Sequence, residues 1–136
     1  MRTFTRTTKI GLHHTDAAGL LFVSQLFTLA YETFDAWLET LGVSVAWIIQ
    51  ESGFLFPYIH AEADFLEGMT VGQTVTIELS VEKMSRSSLT LNFLFYVGEC
   101  QTACAKTVHV SMSKKTNSKI DLPEVLRKSI NDFIQG

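Results

Sequence analysis

The sequence is poor in cysteine, and this shortage argues against a fold held together by disulfides. Its two cysteines, Cys100 and Cys104, lie only four positions apart. In an extended strand this spacing separates their Cα atoms by about 13 Å, whereas a disulfide requires a Cα separation of about 4.4–6.8 Å. No histidine follows them at the spacing of a zinc site. We therefore expect two ordinary thiols in a reducing compartment.

Charge and long apolar runs are also scarce. Charged residues make up 18% of the chain and the net charge is −3, and the basic stripe that nucleic-acid binding requires is missing. The longest uncharged apolar stretch, residues 17–31, is shorter than the roughly 20 residues of a membrane span and contains polar side chains. No secretion signal opens the sequence. We expect a cytoplasmic protein that binds neither nucleic acid nor membranes.

What the sequence does contain is enough apolar material for one folded domain. The 136 residues are 46% hydrophobic and the mean hydropathy is +0.19, so the chain can bury a core of its own. We treat residues 1–136 as a single domain. Because so few charges remain for the surface, we expect part of the apolar surface to be covered in a homo-oligomer.

The first half of the sequence predicts one strand, one long helix and one short helix. Residues 3–12 are rich in threonine and β-branched residues, as strands are, and residues 16–19 form a turn. From Val23 to Leu41 apolar side chains recur at helical spacing, and Leu29 and Ala36 widen the apolar arc, so this helix should be buried on most sides. We expect Ser24 to cap its start and Gly42 to end it. A short helix follows over residues 44–52.

The second half changes to a period of two, which indicates strands. Four stretches alternate or are β-rich, residues 54–67, 74–82, 89–97 and 103–112, and we predict an antiparallel meander. Pro57 should lie at an edge or at a strand start. A last helix should have Asp121 as its cap, with Pro123 and Glu124 in its first turn. The predicted fold class is α+β, a curled antiparallel sheet of about five strands around one long central helix.

Three stretches carry a family resemblance: DAAGLLFV at residues 16–23, FPYIHAEADF at 56–65 and VGQTVTIELSVEKMSRSSLTLNF at 71–93. In this order they resemble hotdog-fold acyl-CoA thioesterases of the 4-hydroxybenzoyl-CoA thioesterase type. The resemblance runs from about residue 3 to residue 113. TDAAG, the pair Tyr31–Glu32 and HAEADF are most similar to 1,4-dihydroxy-2-naphthoyl-CoA thioesterases of menaquinone and phylloquinone synthesis. This implies hydrolysis of that aromatic acyl-CoA, with no cofactor apart from the coenzyme A of the substrate.

Asp16 is the main catalytic candidate. By itself, an aspartate beside a glycine is commonly a turn residue. Thioester hydrolysis, however, needs a nucleophile or base together with donors for the developing oxyanion. The resemblance implies that Asp16 fills the first role and that the backbone N–H of Val23 fills the second. N–H groups in the first turn of a helix lack partners and lie at the positive end of its dipole. Gly19 would allow the tight turn between them.

The candidates for substrate binding are less specific. The resemblance implies that the strand carrying His60 and Asp64 reaches the acyl pocket of a neighbouring subunit; alternatively, these side chains form a polar face in water. Glu32 either positions water or bonds a neighbouring strand. Phe22 and Tyr58 would favour a flat aromatic acyl group, although aromatic residues also fill cores. For the adjacent histidines at positions 13 and 14 we expect surface or hydrogen-bonding roles and no metal.

Coenzyme A carries phosphates, which bind arginine, hydroxyls and free N–H groups. The resemblance places this contact at the turn over residues 83–88, with Arg86, Ser87 and Ser88 as candidates. Other members carry more basic residues here, and this chain retains only Arg86 at those positions, so we expect weaker binding of the nucleotide than in the Arg-rich members. Lys114 and Lys115 are the next candidates.

Two other functions remain open from the sequence. One is a broad-specificity short-chain or aromatic acyl-CoA or acyl-carrier-protein thioesterase. The other is a non-catalytic acyl-CoA-binding hotdog module, which would have no need of Asp16. Residues 51–53 (ESG) lack the strand–turn–helix context of a serine hydrolase elbow. Because sheet edges are usually paired or covered, we expect a dimer in which Asp16 and Val23 face residues 57–64 of the other chain. The resemblance further implies that two such dimers form a tetramer.

Overall fold

The computed structural model describes residues 2–50 and 53–136. Within these residues the chain forms three α-helices, seven strands and one short 3-10 turn, Leu12–His14. No helix of this part of the chain is both long and apolar enough to cross a membrane. The elements are β1 (Phe4–Lys9), α1 (Val23–Thr40), α2 (Val45–Gln50), β2 (Phe54–Leu55), β3 (Tyr58–Phe65), β4 (Thr74–Met84), β5 (Ser88–Val97), β6 (Cys100–Val110), β7 (Met112–Ser113) and α3 (Glu124–Gln135).

Five of the strands form one antiparallel sheet in the order β1-β4-β5-β6-β3. Strands β4, β5 and β6 make the predicted meander. The prediction was wrong for the strand before them, because β3 pairs with β6 at the far edge and β1 takes the place beside β4. Residue periodicity indicates which face of a strand is buried, but it does not indicate which strands are neighbours.

The predicted strand over residues 54–67 is divided into β2 and β3, and β2 pairs with β7 outside the main sheet. Pro57 directly precedes β3, an edge strand, as expected of a residue without an N–H. Strand β1 is shorter than predicted and ends at Lys9. The predicted short helix is present to Gln50, and residues 51 and 52, with the serine of the ESG stretch, lie outside the described residues.

Helix α1 packs one face against the inner face of the sheet. The apolar side chains that the spacing indicated, including Leu26, Phe34 and Trp37, are buried against inward-facing residues of the central strands such as Ile77 and Phe93. The opposite face of the helix is exposed in the single chain, and it carries Ser24, Thr28, Tyr31 and Glu32. We expected α1 to be buried on most sides. For a single chain this expectation was wrong, because one face of the helix is exposed.

The helix boundaries correct two predicted caps. The residue before α1 is Phe22, whose side chain makes no capping hydrogen bond there, so Ser24 lies inside the first turn and is not the cap. Helix α3 begins at Glu124 after Pro123, too far along the chain for Asp121 to cap it. The other end of α1 was predicted correctly: Gly42 has φ +79° and donates its N–H to the Glu39 carbonyl at 3.1 Å.

Candidate active site

Asp16 lies in a tight turn that its own carboxylate stabilises. Its carbonyl accepts the N–H of Gly19 at 3.0 Å, and Oδ1 accepts the N–H groups of Ala18 at 2.8 Å and Leu20 at 3.2 Å. Gly19 has φ +78°, a left-handed conformation that favours glycine. The side chain is exposed, and Oδ2 has no hydrogen-bond partner among the described residues. Asp16 is therefore a turn residue that keeps one carboxylate oxygen available for chemistry.

The segment after the turn is fixed by backbone hydrogen bonds up to the first helical residue. Leu21 donates to the Met69 carbonyl at 2.7 Å and Phe22 donates to the His14 carbonyl at 2.9 Å. In the first turn of α1, the N–H groups of Val23 and Ser24 find no acceptor in the described part of the chain. Val23 is 60% exposed. Among the described residues, a carboxylate oxygen and two backbone donors at a helix N-terminus thus lie without partners in one continuous segment.

A groove of about 410 Å³ runs along the exposed face of α1 from its first turn towards the start of β3. Two of the predicted substrate-binding residues, Glu32 and Tyr58, line it. Phe22 does not; it lies at the entrance to the helix and is 52% exposed. The groove combines aromatic rings with hydroxyl groups and one carboxylate, and its lining consists of Ser24, Phe27, Thr28, Tyr31, Glu32 and Tyr58.

A β-bulge at Ile59 separates two candidates that period two would place on the same face. Tyr58 pairs with His109, whereas His60 pairs with Val108, so Ile59 has no partner on β6. The extra residue turns Tyr58 towards α1 and His60 towards the outer face of the sheet. His60 there contacts Glu62 (Nε2 to Oε1, 2.9 Å), and Asp64 approaches the thiol of Cys104. The structure does not bring His60 or Asp64 into the groove of their own chain.

Glu32 forms an ion pair with a neighbouring strand, one of the two alternatives for it. Its Oε1 lies 3.6 Å from Nη2 of Arg6 on β1. His14 lies close by and is buried, and its Nδ1 accepts the N–H of Gly11 at 3.0 Å, which assigns the ring proton to Nε2. Burial, together with the adjacent His13, lowers the pKa of His14. His14 therefore has a hydrogen-bonding role and His13 lies at the surface, the two alternatives expected for this pair.

The candidate coenzyme A contacts lie far from Asp16 within one chain. Next to the Asp16 turn, Leu20 forms a β-bridge with Thr70, shortly before β4 begins. Arg86 follows the other end of that strand. The strand has 11 residues, which corresponds to about 36 Å at 3.3 Å per residue. Arg86 has an 84% exposed side chain, 3.8 Å from Asp121. Ser88 is used within the turn, because its Oγ lies 2.5 Å from Oγ of Ser85.

Comparison with known proteins assigns the family. A family model described as the Thioesterase-like superfamily matches residues 10–130. The chain belongs to this superfamily. It is 32% identical over 133 residues to a 1,4-dihydroxy-2-naphthoyl-CoA hydrolase of Prochlorococcus marinus (strain NATL2A), covering 93% of this chain and 82% of that protein. A protein of the same name from Microcystis aeruginosa is 29% identical over 118 residues, covering 87% of this chain and 86% of the relative.

A solved structure extends the likeness to the fold. The crystal structure of a 1,4-dihydroxy-2-naphthoyl-CoA thioesterase from Synechocystis matches this thioesterase-like chain with a TM-score of 0.90 and 26% identity, covering 96% of both chains. The resemblance seen in the sequence is confirmed, and the chain has the predicted hotdog fold.

Two polar residues next to the candidate site were missed by the sequence analysis. Arg6 shares the inward face of β1 with Phe4, a position that period two would have indicated. His109 is fully buried on β6, stacked on Phe34 with ring centroids 4.6 Å apart. Its ring also meets Tyr58 edge to face at 4.2 Å. Both polar side chains lie on inward-facing positions next to the groove.

Proposed function

We propose that the protein is an acyl-CoA thioesterase that hydrolyses 1,4-dihydroxy-2-naphthoyl-CoA to 1,4-dihydroxy-2-naphthoate and coenzyme A. The observation that carries this proposal is one continuous segment in which Oδ2 of Asp16 and the N–H of Val23 lack partners among the described residues, in a chain of the thioesterase-like superfamily. The curated relatives and the Synechocystis structure carry the name of this activity, and they support the substrate assignment.

In the proposed reaction the thioester carbonyl oxygen accepts a hydrogen bond from Val23, at the positive end of the helix dipole. Asp16 then acts in one of two ways. Its carboxylate attacks the carbonyl carbon and expels the thiolate of coenzyme A, and water hydrolyses the resulting anhydride. Alternatively, it removes a proton from a water molecule that attacks the carbonyl carbon directly. In both routes the products are the free carboxylate and the thiol, and no metal is required.

The groove supports an aromatic acyl group. Its walls are Phe27, Tyr31 and Tyr58, and they form a slot along the helix from the first turn onwards. From Val23 to Glu32 the helix rises about 13.5 Å, and a helical side chain leans back towards the N-terminus. A rigid ring bound at the first turn therefore extends towards Tyr58 and Glu32. His60 and Asp64 would meet the acyl group only from a partner chain, which remains a prediction.

The test is a hydrolysis screen with purified protein over matched acyl-CoA substrates. We expect the highest kcat/KM with 1,4-dihydroxy-2-naphthoyl-CoA, lower values with 4-hydroxybenzoyl-CoA and benzoyl-CoA, and the lowest with aliphatic chains. A preference for short aliphatic chains would favour the broad-specificity thioesterase. Binding of acyl-CoA without hydrolysis of any substrate would favour the non-catalytic module. In the cell we propose a cytoplasmic enzyme of menaquinone or phylloquinone synthesis.

A further inference from the structure

Buried polar atoms without a partner gather at one place in the molecule. Among the described residues, four buried side-chain atoms have no hydrogen-bond partner: Nη1 of Arg6, Nε1 of Trp37, Oη of Tyr58 and Nδ1 of His109. Three of them flank the groove, because Tyr58 lines it, Arg6 reaches its Glu32, and His109 packs against Tyr58. Buried polar groups are paired in the great majority of cases. Their clustering here indicates a ligand that supplies the missing partner.

Of these atoms, the hydroxyl of Tyr58 has the clearest need of a partner. His109 bonds the Thr107 hydroxyl through Nε2 at 3.2 Å, and its Nδ1 side lies near the Phe56 carbonyl without a hydrogen bond of normal geometry. Arg6 already approaches Glu32. Among the described residues the Tyr58 side chain has ring contacts alone, with His109 at 4.2 Å and Tyr31 at 5.9 Å. Burial, and secondarily Tyr31, raises the pKa of Tyr58, so its phenol remains protonated.

We propose that Tyr58 determines specificity by hydrogen-bonding a hydroxyl group on the aromatic ring of the acyl substrate. This inference rests on the proposed function and names the feature of the substrate that the site selects. A neutral phenol is both donor and acceptor, so it matches a ring hydroxyl, which is also both. An acyl ring without a hydroxyl would leave Oη of Tyr58 unpaired in the complex, as it is in the free protein.

Access to this hydroxyl depends on Tyr31. The Tyr31 ring is 43% exposed and lines both the groove and an apolar cavity of about 270 Å³ beyond it. In the proposed complex this exposed ring turns towards the cavity and gives the substrate access to Tyr58. The bulge at Ile59 directs the Tyr58 side chain inwards. This orientation does not depend on the position of the Tyr31 ring.

Glu32 is the other polar group that a ring hydroxyl could meet, and it is the weaker selector. Its carboxylate is 47% exposed and paired with Arg6, so a substrate hydroxyl would replace water and gain little. The hydroxyl of Tyr58 is shielded from solvent and has no hydrogen-bond partner among the described residues. Sites that bury a hydrogen-bonding group for a substrate hydroxyl discriminate strongly against analogues that lack it. A missing ring hydroxyl should therefore cost more binding free energy at the buried Tyr58 than at the exposed Glu32, and we assign the substrate selectivity to Tyr58.

The first test compares kcat/KM for 1,4-dihydroxy-2-naphthoyl-CoA with that for 2-naphthoyl-CoA, under anaerobic conditions that protect the hydroquinone. We expect Tyr58→Phe to lower the ratio of the two values about 10-fold, the effect of one lost hydrogen bond. Tyr96→Phe, on β5 away from the groove, is the matched control and should keep the wild-type ratio. An unchanged ratio in Tyr58→Phe would overturn the proposal.

The second test separates this role from a structural one. Removing an unpaired buried hydroxyl relieves a cost, so thermal unfolding of ligand-free Tyr58→Phe should occur at or above the wild-type Tm. A clearly lower Tm would show that the hydroxyl has a partner within the protein, and would overturn the proposal. Calorimetric binding of 1,4-dihydroxy-2-naphthoate against 2-naphthoate repeats the comparison without hydrolysis. A preference for the hydroxylated acid that Tyr58→Phe abolishes would support Tyr58 even if another acyl-CoA is the substrate.

Discussion

Asp16 combines a structural and a proposed chemical role through its two carboxylate oxygens. Oδ1 accepts the N–H groups of Ala18 and Leu20, while Oδ2 is available. An asparagine retains the amide oxygen for the turn but cannot act as a base. We therefore expect Asp16→Asn to keep the wild-type Tm and to lower kcat by about 10²–10⁴-fold, the range for losing a general base. Steady-state hydrolysis measures kcat, and thermal unfolding measures Tm.

Asp16→Ala is the matched variant, because it removes the carboxylate and both turn hydrogen bonds. It should be as inactive as Asp16→Asn and, in addition, less stable by about 1–3 kcal/mol. Hydrolysis by Asp16→Asn at a rate close to that of the wild type would contradict the catalytic assignment.

His109 should make the folded protein sensitive to acid. Burial lowers the pKa of His109 from 6.5 to about 4, and the nearby Phe56 carbonyl opposes this shift more weakly. Above pH 6.5 the ring is neutral in both folded and unfolded protein, so it has no effect on stability. Between pH 6.5 and 4 only the unfolded chain takes up the proton. The free energy of unfolding should therefore fall as pH falls, by up to about 3 kcal/mol, and level off below the folded pKa.

Urea unfolding at a series of pH values from 7 to below 4 measures this loss. His109→Gln, which cannot titrate, should show a shallower slope over the same window. Equal slopes in wild type and His109→Gln would show that other groups cause the acid sensitivity.

At the scale of elements, the turn between β4 and β5 is well suited to present a side chain without depending on it. Ser88 donates its N–H to Oγ of Ser85 at 3.1 Å, and Arg127 donates to the carbonyls of Ser85 and Arg86 at 2.8 Å. The backbone of the turn is thus held independently of the Arg86 side chain. If Arg86 binds a phosphate of coenzyme A, its loss should affect substrate binding and not folding.

Arg86→Ala is expected to raise KM several-fold with little change in kcat, since a contact to coenzyme A is the same in the ground state and the transition state. Added salt should raise the wild-type KM for the same reason. Lys128→Ala, on α3 and paired with Asp132, is the control for loss of one exposed positive charge. If KM is the same in Arg86→Ala and wild type, Lys114 and Lys115 become the next candidates.

At the scale of the whole molecule, several large apolar side chains remain exposed around the Asp16 turn and along β3. They are Leu12, Leu20, Phe22, Val23, Ile59, Phe65 and Leu66. Strand β3 is also a sheet edge with unpaired backbone groups on one side. We propose that these surfaces are covered in a dimer through β3, and that two dimers form a tetramer. Within one chain Asp16 and Arg86 lie far apart. In the proposed assembly, Asp16 of one chain lies near Arg86 of another.

A shared site makes activity depend on assembly. On dilution to the concentration at which dimers dissociate, specific activity should fall in proportion to the dimer fraction. Sedimentation analysis and a hydrolysis assay on the same dilution series provide the measurement. A fully active monomer would rule out the shared site, and with it any role of His60 in the acyl pocket of a partner.

The elements of this fold were largely predictable, because their signals are local. The apolar spacing from Val23, the glycine that ends the helix and the alternation in β4 and β5 depend only on near neighbours in sequence. The two predicted caps were wrong because the start of a helix also depends on contacts with distant residues. Ser24 and Asp121 are good capping residues, but each helix starts where backbone contacts to the rest of the protein allow, as the Phe22–His14 hydrogen bond shows.

The sequence alone indicated the Asp16 turn and the glycine within it, since both depend on near neighbours in the chain, whereas the Val23 donor was implied by the family resemblance and the residue pattern placed the helix cap too late, at Ser24. Only the tertiary structure decided which side chains join them. One extra residue at Ile59 turns Tyr58 inwards and His60 outwards, and the placement of β3 beside β6 creates the groove along α1. A bulge and a strand order depend on pairing between distant segments, and residue periodicity carries no information about such pairing.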